Sequence, residues 1–341
     1  MVGASIAMPE KSVSIDRGTG PTHRLGRSNG RYHYCGIAIL PKMETIITIE
    51  PTSPRLVPKP WGRENILPWS EIDHGTEPIG ELWFERRHTA ASESLLLLKL
   101  LFANETLSIQ VHPDDAYARS IGLPHGKTEA WYILAAAPDA KVAVGLKQHL
   151  TSQQLRTAID DGSIADLVRW HNVREGDVVF VPAGTIHAIG PGLVIAEIQQ
   201  RSDATFRMFD YGRRRELHVS DAVAVARAEP ADAHGVPERL TDARTLLIAC
   251  PDFVLERIDL PPDSAWELNI IGETWLLVLN GHAQVAGVNA NANAAIFLEA
   301  DHASVEPGPS GLSGLVAYVA TETRSNLLAR TSMKQSKEAR S

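Results

Sequence analysis

Short apolar runs separated by turn signals set the rhythm of the chain from Met43 to about Leu150. Met43 to Glu50, Gly80 to Glu85, Leu95 to Phe102, Thr106 to His112 and Glu129 to Leu134 each read as a strand. Regular short strands of this kind predict an all-β sandwich or barrel. Two short helices interrupt the rhythm between Thr151 and Trp170. Thr151 stands three residues before Gln154 and Ser163 three before Asp166, each a cap residue with its polar partner, and Gly162 separates them. Strand pattern returns after Gly176 and runs to about Val219, and a helix is expected from Ser220 to Ala228. From about Ala243 to Thr321 the chain is strand-like again, with runs at Phe253 to Leu260, Trp275 to Leu279, Ala283 to Ala286, Ala295 to Leu298 and Leu315 to Ala320.

The pattern divides the chain into four stretches. Residues 1–42 are rich in Gly, Ser, Arg and Pro, carry no period, and are expected to hold little fixed structure. They read either as a tail or as an upstream extension of a protein whose natural start is Met43. Residues 43–228 form a mainly β domain with the helical insertion at about 151–170. Residues 243–323 form a second, smaller β domain, and residues 324–341 a polar, frayed tail.

Composition narrows the classes. The 341 residues exceed one ordinary domain, and 44% hydrophobic with 22% charged residues is the balance of a water-soluble globular chain. A net charge of −8 gives no electrostatic reason to expect nucleic acid or anionic lipid. The one dense basic run, Arg213 to Arg215, reads as a solvated turn. Two cysteines, Cys35 and Cys250, make no disulfide framework and are expected as reduced thiols. The longest apolar run, Leu95 to Phe102, is too short to span a bilayer and Lys99 interrupts it. No secretory signal is visible, so a cytoplasmic protein is expected.

Within this frame some polar residues stand oddly. Along the strand that ends at His112, Ile109 and Val111 point one way and Ser108, Gln110 and His112 the other, since side chains alternate. Glu129 opens another strand, and His187 follows a third. Two imidazoles and a carboxylate are common ligands of a divalent metal, to which Gln110 could add an amide oxygen. Taken singly, each reads more simply: a packed histidine, a solvated strand-end carboxylate, a hydrogen-bonded amide.

The surroundings of His187 change that balance. Counting from Gly176, five residues precede Pro182, one separates it from Gly184, and two separate that glycine from His187. This resembles the second motif of the cupin superfamily, in which a Pro-Gly turn presents a metal-binding histidine inside a small jelly-roll barrel. The asparagine often found after that histidine is replaced by Pro191. The first cupin motif usually reads His-x-His with a nearby Glu; here Gln110 and His112 flank Val111, and residues 113–128 intervene before Glu129. Those departures point to one branch. Residues 107–114, 126–132, 182–187 and 200–207 closely resemble the type I, zinc-dependent mannose-6-phosphate isomerases, and residues 60–62, 80–83 and 215–218 extend the match. The resemblance runs from about Lys59 to Ala228 and continues more weakly through the terminal β domain.

The resemblance implies a cupin jelly-roll barrel followed by a degenerate cupin-like domain, which contains His282 but no metal motif of its own. It implies one Zn2+ per chain held by Gln110, His112, Glu129 and His187. It brings Lys127 and Arg207 as active-site cations, Glu197 and Asp203 as acidic active-site residues, and Ser108 as a phosphate-contacting serine. The activity implied is the interconversion of mannose 6-phosphate and fructose 6-phosphate through a cis-enediol, serving mannose use or nucleotide-sugar supply. The partner is then a sugar phosphate, with no nucleic acid and no membrane, and the chain a monomer or weak homo-oligomer. Glu197, Asp203 and Lys127 all stand as candidates for the proton-transfer base. Two other readings remain open at this point. A cupin oxygenase or epimerase using Fe or Mn would favour a more His-rich ligand set. A non-catalytic sugar-binding cupin would call for a DNA-binding module, and no such pattern is present.

Overall fold

The computed structural model describes residues 48–87, 93–232, 234–270 and 272–331. The expectation for residues 1–42, and the start of the Met43 to Glu50 strand, lie outside the described residues. The rest is mainly β, as expected.

Two sheets form the first part of the chain. A six-stranded antiparallel sheet runs in the order Ser53–Arg63, Ile79–Glu85, Leu96–Ala103, Leu193–Gln200, Glu129–Ala136, Val178–Val181. A five-stranded sheet runs Phe206–Phe209, Ile109–Val111, His187–Ile189, Lys141–Leu146, Val168–Asn172. Their inner faces meet: Leu101, Trp131 and Ile195 of one pack with Val142, Val144 and Ile189 of the other. The period of two does the sorting. In Leu96–Ala103 every residue is buried, because the strand lies mid-sheet and both faces are covered. Leu101 and Ala103 face the barrel interior, and Leu96, Leu98, Leu100 and Phe102 face outward.

Helices cover the outer face of the five-stranded sheet. The expected pair is Ser152–Asp160, with Thr151 and Gln154 closing a reciprocal cap, and Ile164–Leu167. Leu155, Ala158 and Ile159, at helical spacing, pack with Ile109 and Val111. The third expected helix is shorter than its reading, Val219–Val225. A further helix, Asp115–Ser120, had no counterpart in the sequence reading.

The second part is a ten-stranded sheet whose main path is Thr48–Pro51, Ala295–Glu299, Thr274–Val285, His302–Tyr318, Val254–Leu260, Arg244–Ala249, Glu238–Thr241. Along Thr274–Val285 alternate residues enter different cores: Leu276 and Val278 an internal cluster, Trp275 and Leu277 a second one. That second cluster is shared. Trp275, Phe253, Leu255 and Phe297 pack with the outward face of the six-stranded sheet. One expectation is corrected here. The segment from Arg324, read as a frayed polar tail, includes the strand Leu328–Thr331, which pairs with Ala265–Asn269. Its polar composition suits an edge strand, where one face and one row of backbone groups stay wet. Among the described residues no helix is long and apolar enough to cross a membrane.

Candidate active site

The site lies between the two inner faces. In the five-stranded sheet, Arg207, Gln110 and His187 are direct cross-strand partners and form one row. His112 follows at the end of its strand, where its carbonyl accepts from Gly184 N at 2.8 Å. Gly184 has φ +85, a left-handed backbone that favours glycine, and this turn delivers His187 to the barrel. The facing six-stranded sheet supplies Glu129, Glu197, Lys99 and Glu81. The same alternation that sends Ala130, Ala196 and Leu98 outward turns Glu129, Glu197 and Lys99 inward.

His112, Glu129 and His187 converge. Their ligand atoms all lie within 4.8 Å of one another, and the three residues are buried. Glu129 stands 3.5 Å from His112 Nε2 and 3.3 Å from His187 Nε2. Each ring is pinned from behind: His112 Nδ1 donates to Ala204 O at 2.8 Å and His187 Nδ1 to Thr185 O at 2.9 Å. A carbonyl can only accept, so Nδ1 carries the proton and Nε2 presents a lone pair to the cavity. Gln110 Nε2 lies 3.3 Å from His187 Nε2, and Ser108 Oγ donates to Gln110 Oε1 at 3.0 Å. Lys127 Nζ sits 3.1 Å from His112 Nε2 and 3.2 Å from Glu129. The ammonium thus stands where this donor set favours positive charge, while Glu129 Oε2 has no well-formed hydrogen bond. Two lone-pair imidazoles, a buried carboxylate and an amide fit a divalent cation well.

Electrostatics agree with the geometry. Burial, aided by the Lys127 charge, depresses His112 to about 3, so the ring stays neutral. Burial would raise Glu129, but Lys127 and His112 overcome it and hold the carboxyl well below the usual range. Glu197 goes the other way: burial and the nearby Glu129 charge push it up, against Lys99. Lys99 Nζ lies 2.9 Å from Glu197 and 3.9 Å from Glu81. Burial would lower it, yet those two carboxylates raise it, so it stays charged. Glu81, despite burial, is held at about 2 by Lys99 and Lys59.

These groups line a cavity of about 220 Å³. All the residues singled out in the sequence meet in it or at its wall: Ser108, Gln110, Lys127, Glu129, Glu197 and Arg207 line it, and His112 and His187 complete the cluster. Asp203 lines it too, but from an exposed position. A larger cleft of about 760 Å³ opens elsewhere, beside Tyr117, Phe180 and Cys250, and the metal-type cluster is not in it. Sequence reasoning missed Lys99, Glu81 and Lys59. The signal for Lys99 was there: a lone charge in an apolar run is expensive to bury without partners. The basic run was also misread. Arg214 is exposed, whereas Arg213 and Arg215 turn onto Asp210, a buried carboxylate that needs compensation.

No protein-family model matches the chain. It is 38% identical over 174 residues to the mannose-6-phosphate isomerase ManA of Bacillus subtilis, covering 48% of this chain and 53% of that protein. It is 37% identical over 190 residues to the mannose-6-phosphate isomerase of Streptococcus mutans, covering 52% of this chain and 60% of that one. The match thus spans between half and two thirds of those relatives. In structure it resembles the mannose 6-phosphate isomerase of Bacillus subtilis, with a TM-score of 0.69 at 24% identity over 79% of this chain and 99% of that one. It also resembles a zinc-bound mannose 6-phosphate isomerase, with a TM-score of 0.63 at 15% identity over 80% and 99%. The chain therefore has the cupin fold of the mannose-6-phosphate isomerases, and its likeness in sequence is to the same proteins.

Proposed function

We propose that the chain is an aldose–ketose isomerase that interconverts mannose 6-phosphate and fructose 6-phosphate, with one zinc ion held by Gln110, His112, Glu129 and His187. The observation that carries the reading is the convergence of that donor set on a cavity that also holds a buried acid and several cations. The named relatives supply the substrate. With it come a cytoplasmic location and the absence of a nucleic-acid or membrane partner.

Zinc in that position supplies Lewis-acid polarisation of the substrate's carbonyl and hydroxyl oxygens. The chain's own residues do the rest. A base must carry one proton between C1 and C2, and its proton affinity should lie near working pH. Glu197 suits this best of the three candidates, since it is buried and its proton affinity is raised. Asp203 is exposed, and Lys127 is engaged by Glu129 and His112. Lys99, bonded to Glu197, fixes the orientation of that carboxyl. Arg207 and Lys127 face the negative charge that develops on the enediolate, which is the charge worth stabilising.

Metal analysis joined to an isomerase assay tests the reading. About one zinc per chain is expected, with activity lost to a chelator and restored by zinc. A zinc-loaded protein that leaves mannose 6-phosphate unchanged would overturn it.

A further inference from the structure

Two histidines outside the catalytic cavity stand together where the edges of the two sheets come close. His171 lies in the edge strand Val168–Asn172 of the five-stranded sheet and pairs directly with Val142. Direct partners share a face, and Val142 belongs to the internal core, so the His171 ring turns inward. His234 comes from a segment fastened to the edge strand Val178–Val181 of the six-stranded sheet. It bridges to Val179, and Gly235 N donates to Val178 O at 3.0 Å. The two rings are nearly perpendicular, with centroids 6.0 Å apart. A cleft of about 550 Å³, lined in part by Asn172, Asp177 and His234, opens beside them and gives a small ion a way in.

The chemistry of His171 points to that ion. Its Nε2 is shut off from water and has no hydrogen-bond partner among the described residues. An unpaired buried nitrogen costs free energy, and a ligand that uses it recovers the loss. The acceptor beside the ring is the backbone carbonyl of Val144. With the proton on Nδ1 toward that carbonyl, Nε2 presents a lone pair, the arrangement that also holds at His112 and His187. Burial and the Arg169 charge lower the proton affinity of His171, which keeps the ring neutral, the form that ligates. Asp232, two residues before His234, opposes Arg169 and supplies negative charge toward a cation. In the first cluster the His112 and His187 rings stand 4.8 Å apart. His234 is exposed, so its ring can turn about its own side-chain bonds to close the difference. Imidazole donors suit zinc, copper and nickel, whereas magnesium and calcium prefer oxygen.

We infer that His171 and His234 form a second metal site, separate from the catalytic cluster, which takes a divalent late first-row ion such as zinc, with Asp232 offsetting its charge. An ion held there joins the edge of one sheet to the edge of the other, and so stabilises the barrel in proportion to its occupancy. With fewer donors and Arg169 nearby, it binds more weakly than the four-residue set. One ion per chain therefore survives dialysis, and the second enters only in excess zinc. The inference is independent of the isomerase reading.

The experiment uses full-length wild type, His171→Asn and His234→Ala, each dialysed against a series of free zinc concentrations. Bound zinc, Tm and isomerase kcat are measured on the same samples. Wild type is expected to take up a second ion after the first site is full, with Tm rising over the same range. Both variants should weaken that second uptake at least about tenfold, since losing even an outer partner of a ligand costs that much. The rise in Tm should move to higher zinc by the same factor, while the first ion and kcat stay unchanged. No second ion by about 1 mM free zinc in wild type overturns the site. So does a second ion whose affinity survives in both variants within about threefold. Should His171→Asn fail to fold, His234→Ala, at an exposed position, decides by the same counts. A wild type that binds two ions in this way yet isomerises nothing would remove the isomerase reading and keep this site.

Discussion

Arg207 is where the chemistry of a single side chain can be separated most cleanly from its packing. Its backbone belongs to the sheet, but its guanidinium faces the cavity with an unpartnered Nε. Arg207→Ala should lower kcat on the order of a hundredfold, as loss of an oxyanion donor does, with zinc content unchanged. Arg207→Lys should restore only part, because a point charge cannot reproduce the fork. A zinc-loaded, fully active alanine variant would remove Arg207 from the mechanism. The two carboxyl candidates, buried Glu197 and exposed Asp203, separate in the same assay. Glu197→Gln should cost roughly a hundredfold or more in kcat and Asp203→Asn far less, since a general base contributes about that much. The reverse order would move the base to Asp203. His112→Ala or His187→Ala should remove most bound zinc while the β circular-dichroism signature persists. The residues of the metal-type cluster were legible because each sits in a motif that resembles the family's, which singles it out by position. Lys99 stood out only as a lone charge in an apolar run, and nothing local named the partner for it or for Glu81. Only the cross-strand register sets Lys99 opposite Glu197.

Among the elements, the turn before His187 and the loop after Arg207 control the most. At Gly184 an added Cβ would meet Val225 O at 3.0 Å in a left-handed backbone. Gly184→Ala should therefore cost about 1–2 kcal/mol and loosen zinc binding as well, because the strain falls on the turn that delivers His187. Chemical denaturation and metal affinity, measured together, check both effects. The loop answers to pH. Burial would raise Asp210, but hydrogen bonds from Arg215 and Arg213 outweigh it and hold the carboxyl below its usual value. A depressed carboxylate adds stability above its unfolded pKa of about 3.9 and loses it as pH falls through the folded value. The Tm gap between wild type and Asp210→Asn should be full at neutral pH and shrink below about pH 4; a gap independent of pH would show that packing, not charge, is at work. Strands whose two faces differ in polarity were readable from alternation, and the Ser152–Asp160 helix from its caps. The helix Asp115–Ser120 escaped because it is short and almost without an apolar stripe, although Asp114 caps it. Leu328–Thr331 escaped for a similar reason, being an edge strand with a polar face.

Taken whole, the molecule joins its halves through one apolar cluster to which both contribute. Periodicity shows that Trp275 and Leu277 are buried, but not against what, so the sequence alone suggests two separate cores. Trp275→Ala should cost about 3–5 kcal/mol, and isomerase activity and β structure should be lost in one shared thermal transition. Two resolved transitions, with only the later half of the chain destabilised, would show the halves to be energetically independent. Glu273 adds a polar clip, accepting from Leu95 N and Leu96 N at the start of the central strand. The first described strand carries a further consequence, for the order in which the protein is made. Thr48–Pro51 belongs to the ten-stranded sheet, where Thr48 pairs with Glu299 and Pro51 with Ile296. At ribosomal speed its partner emerges on the order of ten seconds or more after it does. During translation that early segment waits as an unpaired edge while the residues of the barrel are synthesised, and its place in the sheet can be filled only near the end of synthesis.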